Sequence, residues 1–225
     1  MRKDEASMGR MLMTYLCVGA MALALATTAN AVALTNPGFE DNPPLNGWTT
    51  FNFVFGLGTG AGVSGAMASG SPHGGLNVMQ AYGPFTGGWD ASGAYQDIAV
   101  TEGMTVTLTG YGMNPSGDAM APAGSGFGII QIAWNGGALG TVDSSQIDKA
   151  AGVQDTWQAL SAAGVAPAGT TYVRLLALHV NGPDFSGGSA YFDDLAVNVV
   201  PEPSSIALVL SGLLGLGIVS RKRRA

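Results

Sequence analysis

From residue 33 to residue 199, short apolar and β-branched runs alternate with clusters of Gly, Asn, Pro and Asp. No segment in this span carries apolar residues at the three-to-four spacing of an amphipathic helix, so the punctuation is that of strands and turns. It predicts strands over Ala33–Asn36, Trp48–Val54, Leu76–Ala81, Ala94–Val100, Met104–Met113, Phe127–Trp134, Ala138–Val142, Thr156–Ala162, Thr171–Val180 and Ala190–Val199. Alternation is clearest in Met104-Thr-Val-Thr-Leu-Thr and in Tyr172-Val-Arg-Leu-Leu-Ala-Leu, each with one apolar face. Such spacing over about 170 residues indicates an all-β class, an antiparallel β-sandwich of jelly-roll form. Gly56–Gly75 and Asn114–Ser125 break the rhythm and read as loops, the first long enough to be functional or mobile.

Two longer apolar runs flank this domain. At the N-terminus Arg2, Lys3 and Arg10 precede the apolar Met11–Ala26, and Ala29-Asn30-Ala31 follows. A basic segment, an apolar segment and a small-x-small site make a signal peptide over residues 1–31, with cleavage after Ala31 or Ala33. Read alone, the same run also suits a single membrane helix. At the C-terminus Pro201-Glu202-Pro203 leads into the apolar Ile206–Val219 and the basic Arg221-Lys222-Arg223-Arg224. Those 14 apolar residues span roughly 21 Å as a helix, against a hydrocarbon core of about 30 Å. The short hydrophobic helix is suited to transient membrane insertion, with its basic end cytoplasmic.

Three parts follow: 1–31 as leader, 32–199 as the sandwich domain and 200–225 as the tail. The single Cys, Cys17, lies in the leader, so the mature domain uses no disulfide and depends on its own core. Between Val32 and Val200 twelve acids face only Lys149 and Arg174, a formal charge of −10. Nucleic acid and anionic lipid are disfavoured partners for such a surface, which suits cations and neutral sugars.

The tail resembles the PEP-CTERM protein-sorting signal of Gram-negative bacteria over all of 200–225, on Pro201-Glu202-Pro203, the run Ser211-Gly-Leu-Leu-Gly-Leu-Gly-Ile-Val-Ser220 and the closing Arg-Lys-Arg-Arg-Ala. The resemblance implies passage through the Sec machinery, temporary retention at the inner membrane and processing by an exosortase near Pro-Glu-Pro. It further implies a final place at the cell surface or in the exopolysaccharide matrix of a biofilm. A plain tail anchor with a Pro-rich stalk is the alternative.

The domain resembles the jelly-roll carbohydrate-binding modules of families 4 and 9, within the galactose-binding-like group. Leu34-Thr-Asn-Pro-Gly-Phe-Glu40 with Gly47-Trp48 is similar to their entry strand, and Tyr95-Gln-Asp-Ile-Ala-Val100 with Thr105–Tyr111 to their central hairpin. Thr156-Trp157-Gln158, Val173–Leu178 and Tyr191-Phe-Asp-Asp-Leu-Ala-Val197 complete the series. In that family a calcium ion ties the entry segment to the last strand, which here implies Glu40 and Asp193 as ligands. Asp193 also shares the strand parity of Leu195 and Val197, which points it to the buried side, where a carboxylate needs a cation or several donors. Hard oxygen ligands suit Ca²⁺, with backbone carbonyls near Gly38 or Ser71–His73 completing the set. The other reading is that both acids cap turns at the rim. Asp194, of opposite parity, faces solvent.

Sugar recognition relies on flat rings with a few polar groups beside them. Trp89, in the flexible Gly87-Gly88-Trp89-Asp90, is the candidate platform, with Asp90, Tyr82 and Tyr95 nearby in sequence. A ring folded back over the sandwich end is the plainer alternative. Trp48 and Trp157 belong to motifs that fill cores, and Trp134 closes a strand at a hairpin. Catalysis finds little to stand on: His73 and His179 sit apart, and no Gly-x-Ser-x-Gly elbow or His-Glu-x-x-His helix occurs. Gly60-Ala-Gly62-Val-Ser-Gly65 satisfies a dinucleotide fingerprint without its strand–helix context. The reading is a non-catalytic exported domain, either structural and adhesive or lectin-like towards extracellular polysaccharide, with a two-carboxylate hydrolase drawn from the twelve acids as a further alternative.

Overall fold

The chain enters the fold through a turn, where a strand was expected over Ala33–Asn36. In the computed structural model, which describes residues 32–43, 45–53, 61–64, 69–83, 85, 87–184 and 187–200, the Phe39 N–H donates to the Asn36 carbonyl at 3.2 Å. Asn36 and Phe39 both take left-handed φ, 49° and 60°. Pro37 and Gly38 occupy the two central turn positions that favour them, so Asn-Pro-Gly outweighs the strand tendency of its neighbours. The turn aims Phe39 into the core, where its ring meets Trp48 at 5.3 Å, and the Trp48 indole N–H donates to the Asn36 carbonyl at 3.0 Å. The leader and tail helices expected at the two ends lie outside the described residues.

Among the described residues ten strands then follow: β1 (Thr49–Phe53), β2 (Ala61–Ser64), β3 (Val78–Tyr82), β4 (Asp90–Ala99), β5 (Thr105–Met113), β6 (Phe127–Trp134), β7 (Thr141–Asp143), β8 (Gln158–Val165), β9 (Tyr172–Asn181) and β10 (Ser189–Val200). They form two five-stranded sheets, ordered β1-β4-β9-β6-β7 and β2-β3-β10-β5-β8. Their ladders are antiparallel, and the two sheets enclose the main core. This is the all-β sandwich that the punctuation predicts.

Two departures have a common cause. Strand β2 lies inside the stretch expected to be loop, and β4 begins at Asp90 rather than Ala94. Ala-Gly-Val-Ser and Asp-Ala-Ser-Gly have no apolar alternation; they become strands because β3 offers an edge to one, while β1 and β9 flank the other. Pairing overrides propensity here.

In the core, missing side chains matter as much as large ones. A Cβ on Gly112 or on Gly128 would stand 2.7 Å from Ile147 Cδ1. The two glycines leave the space that Ile147, 1% exposed, fills from the segment after β7. Ile147→Val is expected to cost about 1 kcal/mol in urea unfolding; an unchanged midpoint would show that this plug is loosely packed. Trp134 is also core, buried where an end-of-hairpin position left it open.

Strand β9 departs from the single apolar face expected of it. Val173, Leu175 and Ala177 face the other sheet, yet Leu176 and Leu178 are buried too. With Ile129 and Ala133 they build a second apolar cluster on the outer face, against which Phe51, Tyr95, Phe127 and Val180 pack.

Candidate functional site

Strand β10 breaks its own alternation. Phe192 and Leu195, three apart, both belong to the core, so an extra residue sits between them as at a β-bulge. Asp194 takes the left-handed conformation there, φ 47°. Parity with Leu195 had placed Asp193 inside; it is fully buried, but at a bulge, where counting by twos no longer holds. Asp193 Oδ2 accepts the N–H groups of His73 and Gly74, both at 3.0 Å, and its Oδ1 accepts the Asp194 N–H at 2.8 Å. Burial pushes its carboxyl above the ordinary aspartate range, and the N–H groups of Gly74, Asp194 and His73 pull it back only in part.

Glu40 grips the same loop from the entry turn. Its Oε1 accepts the Leu76 N–H at 2.9 Å and the Asn77 N–H at 2.7 Å. The structure thus brings Glu40 and Asp193 to one segment, residues 73–77. Asp194 is exposed as expected, with Oδ2 2.7 Å from His73 Nδ1. The His73 ring stacks on Tyr111 with centroids 3.6 Å apart, and the Trp157 indole N–H donates to the Ser71 carbonyl at 2.8 Å. Trp157 packs over Val78, Met113 and Tyr191, so it serves the structure on the outer face of the second sheet. The glycines are required: a Cβ on Gly75 would lie 2.4 Å from Glu40 Oε1, and one on Gly74 2.8 Å from Asp194 Oδ2.

As a calcium site the donor set is partial. Among the described residues no group of three or more His, Cys, Asp and Glu is arranged to hold a metal. Glu40 and Asp193 both approach Gly38: a Cβ there would be 3.8 Å from Asp193 Oδ1 and 3.9 Å from Glu40 Cγ. Backbone carbonyls would have to supply the rest.

The three aromatic-site residues do not come together. Trp89 is 61% exposed just before β4, Asp90 is buried at its first position, and Tyr95 lies half-buried farther along. Five strand steps separate Asp90 from Tyr95, roughly 17 Å at strand rise, and they face opposite sides. What Tyr95 meets instead is Arg174, whose guanidinium carbon stands 3.7 Å over its ring. Arg174 also makes two hydrogen bonds to Asp97, each 2.8 Å. Asp97 and Arg174 are cross-strand partners on β4 and β9. Sequence reasoning missed this trio because only the register brings them together; the lone Arg of the domain was the available signal.

The sandwich and its acidic clasp define an all-β jelly-roll protein that carries a sorting tail. Residues 199–224 match the PEP-CTERM protein-sorting motif, which marks the chain for export and processing at a membrane. No curated protein matches the chain in sequence. Among solved structures, the apo form of a cyclase from Fischerella sp. is 17% identical with TM-score 0.54, covering 78% of this chain and 98% of that one. The arabinose-bound MgGH51 α-L-arabinofuranosidase is 15% identical with TM-score 0.53; the match spans 77% of this chain but 27% of that enzyme. TmCBM61 in complex with β-1,4-galactotriose is 15% identical with TM-score 0.47, covering 73% and 95%. The first two establish the sandwich fold and, at these identities, nothing finer.

Proposed function

We propose that the protein is exported by a Gram-negative bacterium, processed by an exosortase at Pro201-Glu202-Pro203 and delivered to the cell surface or exopolysaccharide matrix. There the sandwich acts as a non-catalytic structural or adhesive domain. The sorting motif over 199–224 carries this reading. The acidic, cysteine-free domain agrees with it, as does a buried carboxylate that holds backbone N–H groups instead of a second carboxyl. Mass spectrometry of the mature protein tests it directly: the expected species begins near Leu34 and ends near Pro201. A secreted species retaining both Met1 and Ala225 would overturn it.

One observation favours a lectin-like variant of this reading. Trp89 keeps 61% of its surface exposed at the sandwich end, where a flat ring is free to stack on a sugar. Affinity electrophoresis against a polysaccharide panel, including the producer's own, is expected to show retardation that Trp89→Ala reduces at least several-fold. Unretarded migration on every gel would remove the lectin variant and leave the sorting reading in place.

Calcium belongs to the same proposal, with Glu40 and Asp193 as its carboxylate ligands. The part of Asp193's burial cost that its amide donors leave uncompensated is what a divalent cation would offset. At 100 times its dissociation constant the ion should add about 2.7 kcal/mol. A melting point unmoved by chelator and by added CaCl₂ would end this part of the proposal.

A further inference from the structure

Strand β10 hands the chain directly to its tail, so the strand order fixes which end of the sandwich the tail leaves from. Tyr191 shares a cluster with Met113, and Leu195 stands against Gly110. β10 therefore runs antiparallel to β5, and Val199 and Val200 end beside Val106 and Thr105. Thr105 is the cross-strand partner of Val165, the last residue of β8. Three connections meet at this end: 100–104 between β4 and β5, 135–140 between β6 and β7, and 166–171 between β8 and β9. The Gly103 N–H donates to the Ala166 carbonyl and the Ala166 N–H to the Met104 carbonyl, both at 2.8 Å. The Gly169 N–H donates to Glu102 Oε2 at 3.0 Å. The Asn135 amide donates to the Gly169 carbonyl at 3.0 Å and accepts the Thr171 N–H at 2.9 Å.

This end is poor in charge. Glu102 is the one charged residue in the three connections, in a domain whose formal charge is −10. The opposite end, where β4 and β8 begin and β5 and β9 stop, holds Asp90, Asp118, Asp148, Asp155 and Asp184 against Lys149. Ten strand residues from Asp90 to Ala99 set the two ends roughly 30 Å apart, about three Debye lengths at 0.1 M salt. The charge-poor end also keeps apolar side chains in the open: Val165 is 62% exposed, Val200 44% and Leu139 39%. One exposed valine is ordinary. Three large apolar side chains around one charge-depleted end mark a surface for an apolar or interfacial partner.

The tail names the partner. Only Pro201–Ser205, five residues, separate β10 from the apolar run Ile206–Val219. Their full reach is about 17 Å, at about 3.3–3.6 Å per residue. As a helix the apolar run falls about 9 Å short of a hydrocarbon core of about 30 Å, and the headgroup layer adds about 5–8 Å on each side. With the basic Arg221–Arg224 held at the far interface, the linker is nearly used up in reaching the surface. We propose that the tail-bearing end of the sandwich, presenting Leu139, Val165 and Val200, is a membrane-facing surface that rests on the phospholipid headgroups while the tail is inserted. The proposal deepens the sorting reading and rests on it. The five acids that an anionic bilayer would repel stand at the far end, which leaves this approach unopposed.

The test uses the exported, tail-bearing protein, purified from a host that lacks an exosortase. Loss of the leader removes Cys17, so a single introduced cysteine reports alone. Leu139→Cys, Val165→Cys, Trp89→Cys at the opposite end and Leu210→Cys in the tail are each labelled with a fluorophore. They are reconstituted in phosphatidylethanolamine–phosphatidylglycerol vesicles that carry nitroxide either on the headgroup or in the acyl chain. Headgroup nitroxide is expected to quench the labels at 139 and 165 several times more strongly than the label at 89, and chain nitroxide to quench the label at 210. A quenched label at 210 with 139 and 165 no more quenched than 89 would overturn the proposal and leave the sorting reading standing. Labels at 139 and 165 shielded from aqueous iodide yet untouched by nitroxide would place a second copy there, which also overturns it. An unquenched label at 210 would remove the inserted tail, and the sorting reading would fail together with the proposal.

Discussion

Asp193→Ala is expected to lower the unfolding free energy by about 3–4 kcal/mol and to expose residues 71–77 to proteolysis. The side chain is fully buried and accepts three backbone N–H groups, from His73, Gly74 and Asp194. Hydrogen bonds to a charged acceptor contribute about 1.5–3 kcal/mol each, and their loss leaves amides that water reaches only in part. Asp193→Asn should lose roughly half as much, because one side-chain oxygen cannot replace two and its NH₂ opposes an N–H. Asp194→Ala removes an exposed pair with His73 and leaves Ala at a left-handed φ of 47°, and should cost about 1–2 kcal/mol. Urea melts of the three variants at pH 7 decide the matter. If Asp193→Ala were as stable as Asp194→Ala, the buried carboxylate would not be what holds the loop.

Acid should weaken the domain between about pH 6.5 and pH 4, through His179. Its folded pKa, about 4, lies below the value of 6.5 that the unfolded chain presents. In that window the unfolded state binds the proton and the folded state does not, so stability falls as pH falls. The full loss is on the order of 3 kcal/mol at 1.36 kcal/mol per unit. Other shifted groups do not imitate this. The hydroxyls of Ser116 and Ser69 and the Ser116 N–H hold Asp155 below 3.8, so its contribution is lost only beneath that pH. Asp193 is raised, and its sign is opposite: the stability it contributes by burial fades as pH rises. Unfolding curves at pH 7, 5.5 and 4.5 should therefore slope for the wild type and flatten for His179→Leu, whatever that variant's baseline. A level wild-type profile would mean that the imidazole charges without penalty.

How far the primary structure carries is visible at the same residues. Alternation in β5 and the turn residues around β6 placed those strands almost to the residue, because each signal is local. The entry motif was seen but misread: Asn36-Pro37-Gly38 directs a turn, and the strand tendency of two neighbours cannot compete with it. Strand β2 had no local signal at all, since its residues are strand only by virtue of the edge they meet. Glu40 and Asp193 were singled out as calcium ligands; that both accept N–H groups of residues 73–77 was not legible, and the parity argument for Asp193 crossed a bulge that no count along the chain reveals.

Local chemistry, then, determined by itself the β class, the acidic cysteine-free character and the sorting tail, because each depends on neighbours in the chain. The tertiary structure alone decided that Arg174 lies over Tyr95 and that Ser92 meets His179 and Asp90 meets Asn181 in a buried block. These depend on strand register and sheet order, and contacts between residues some eighty positions apart leave no periodic trace for the chain to show.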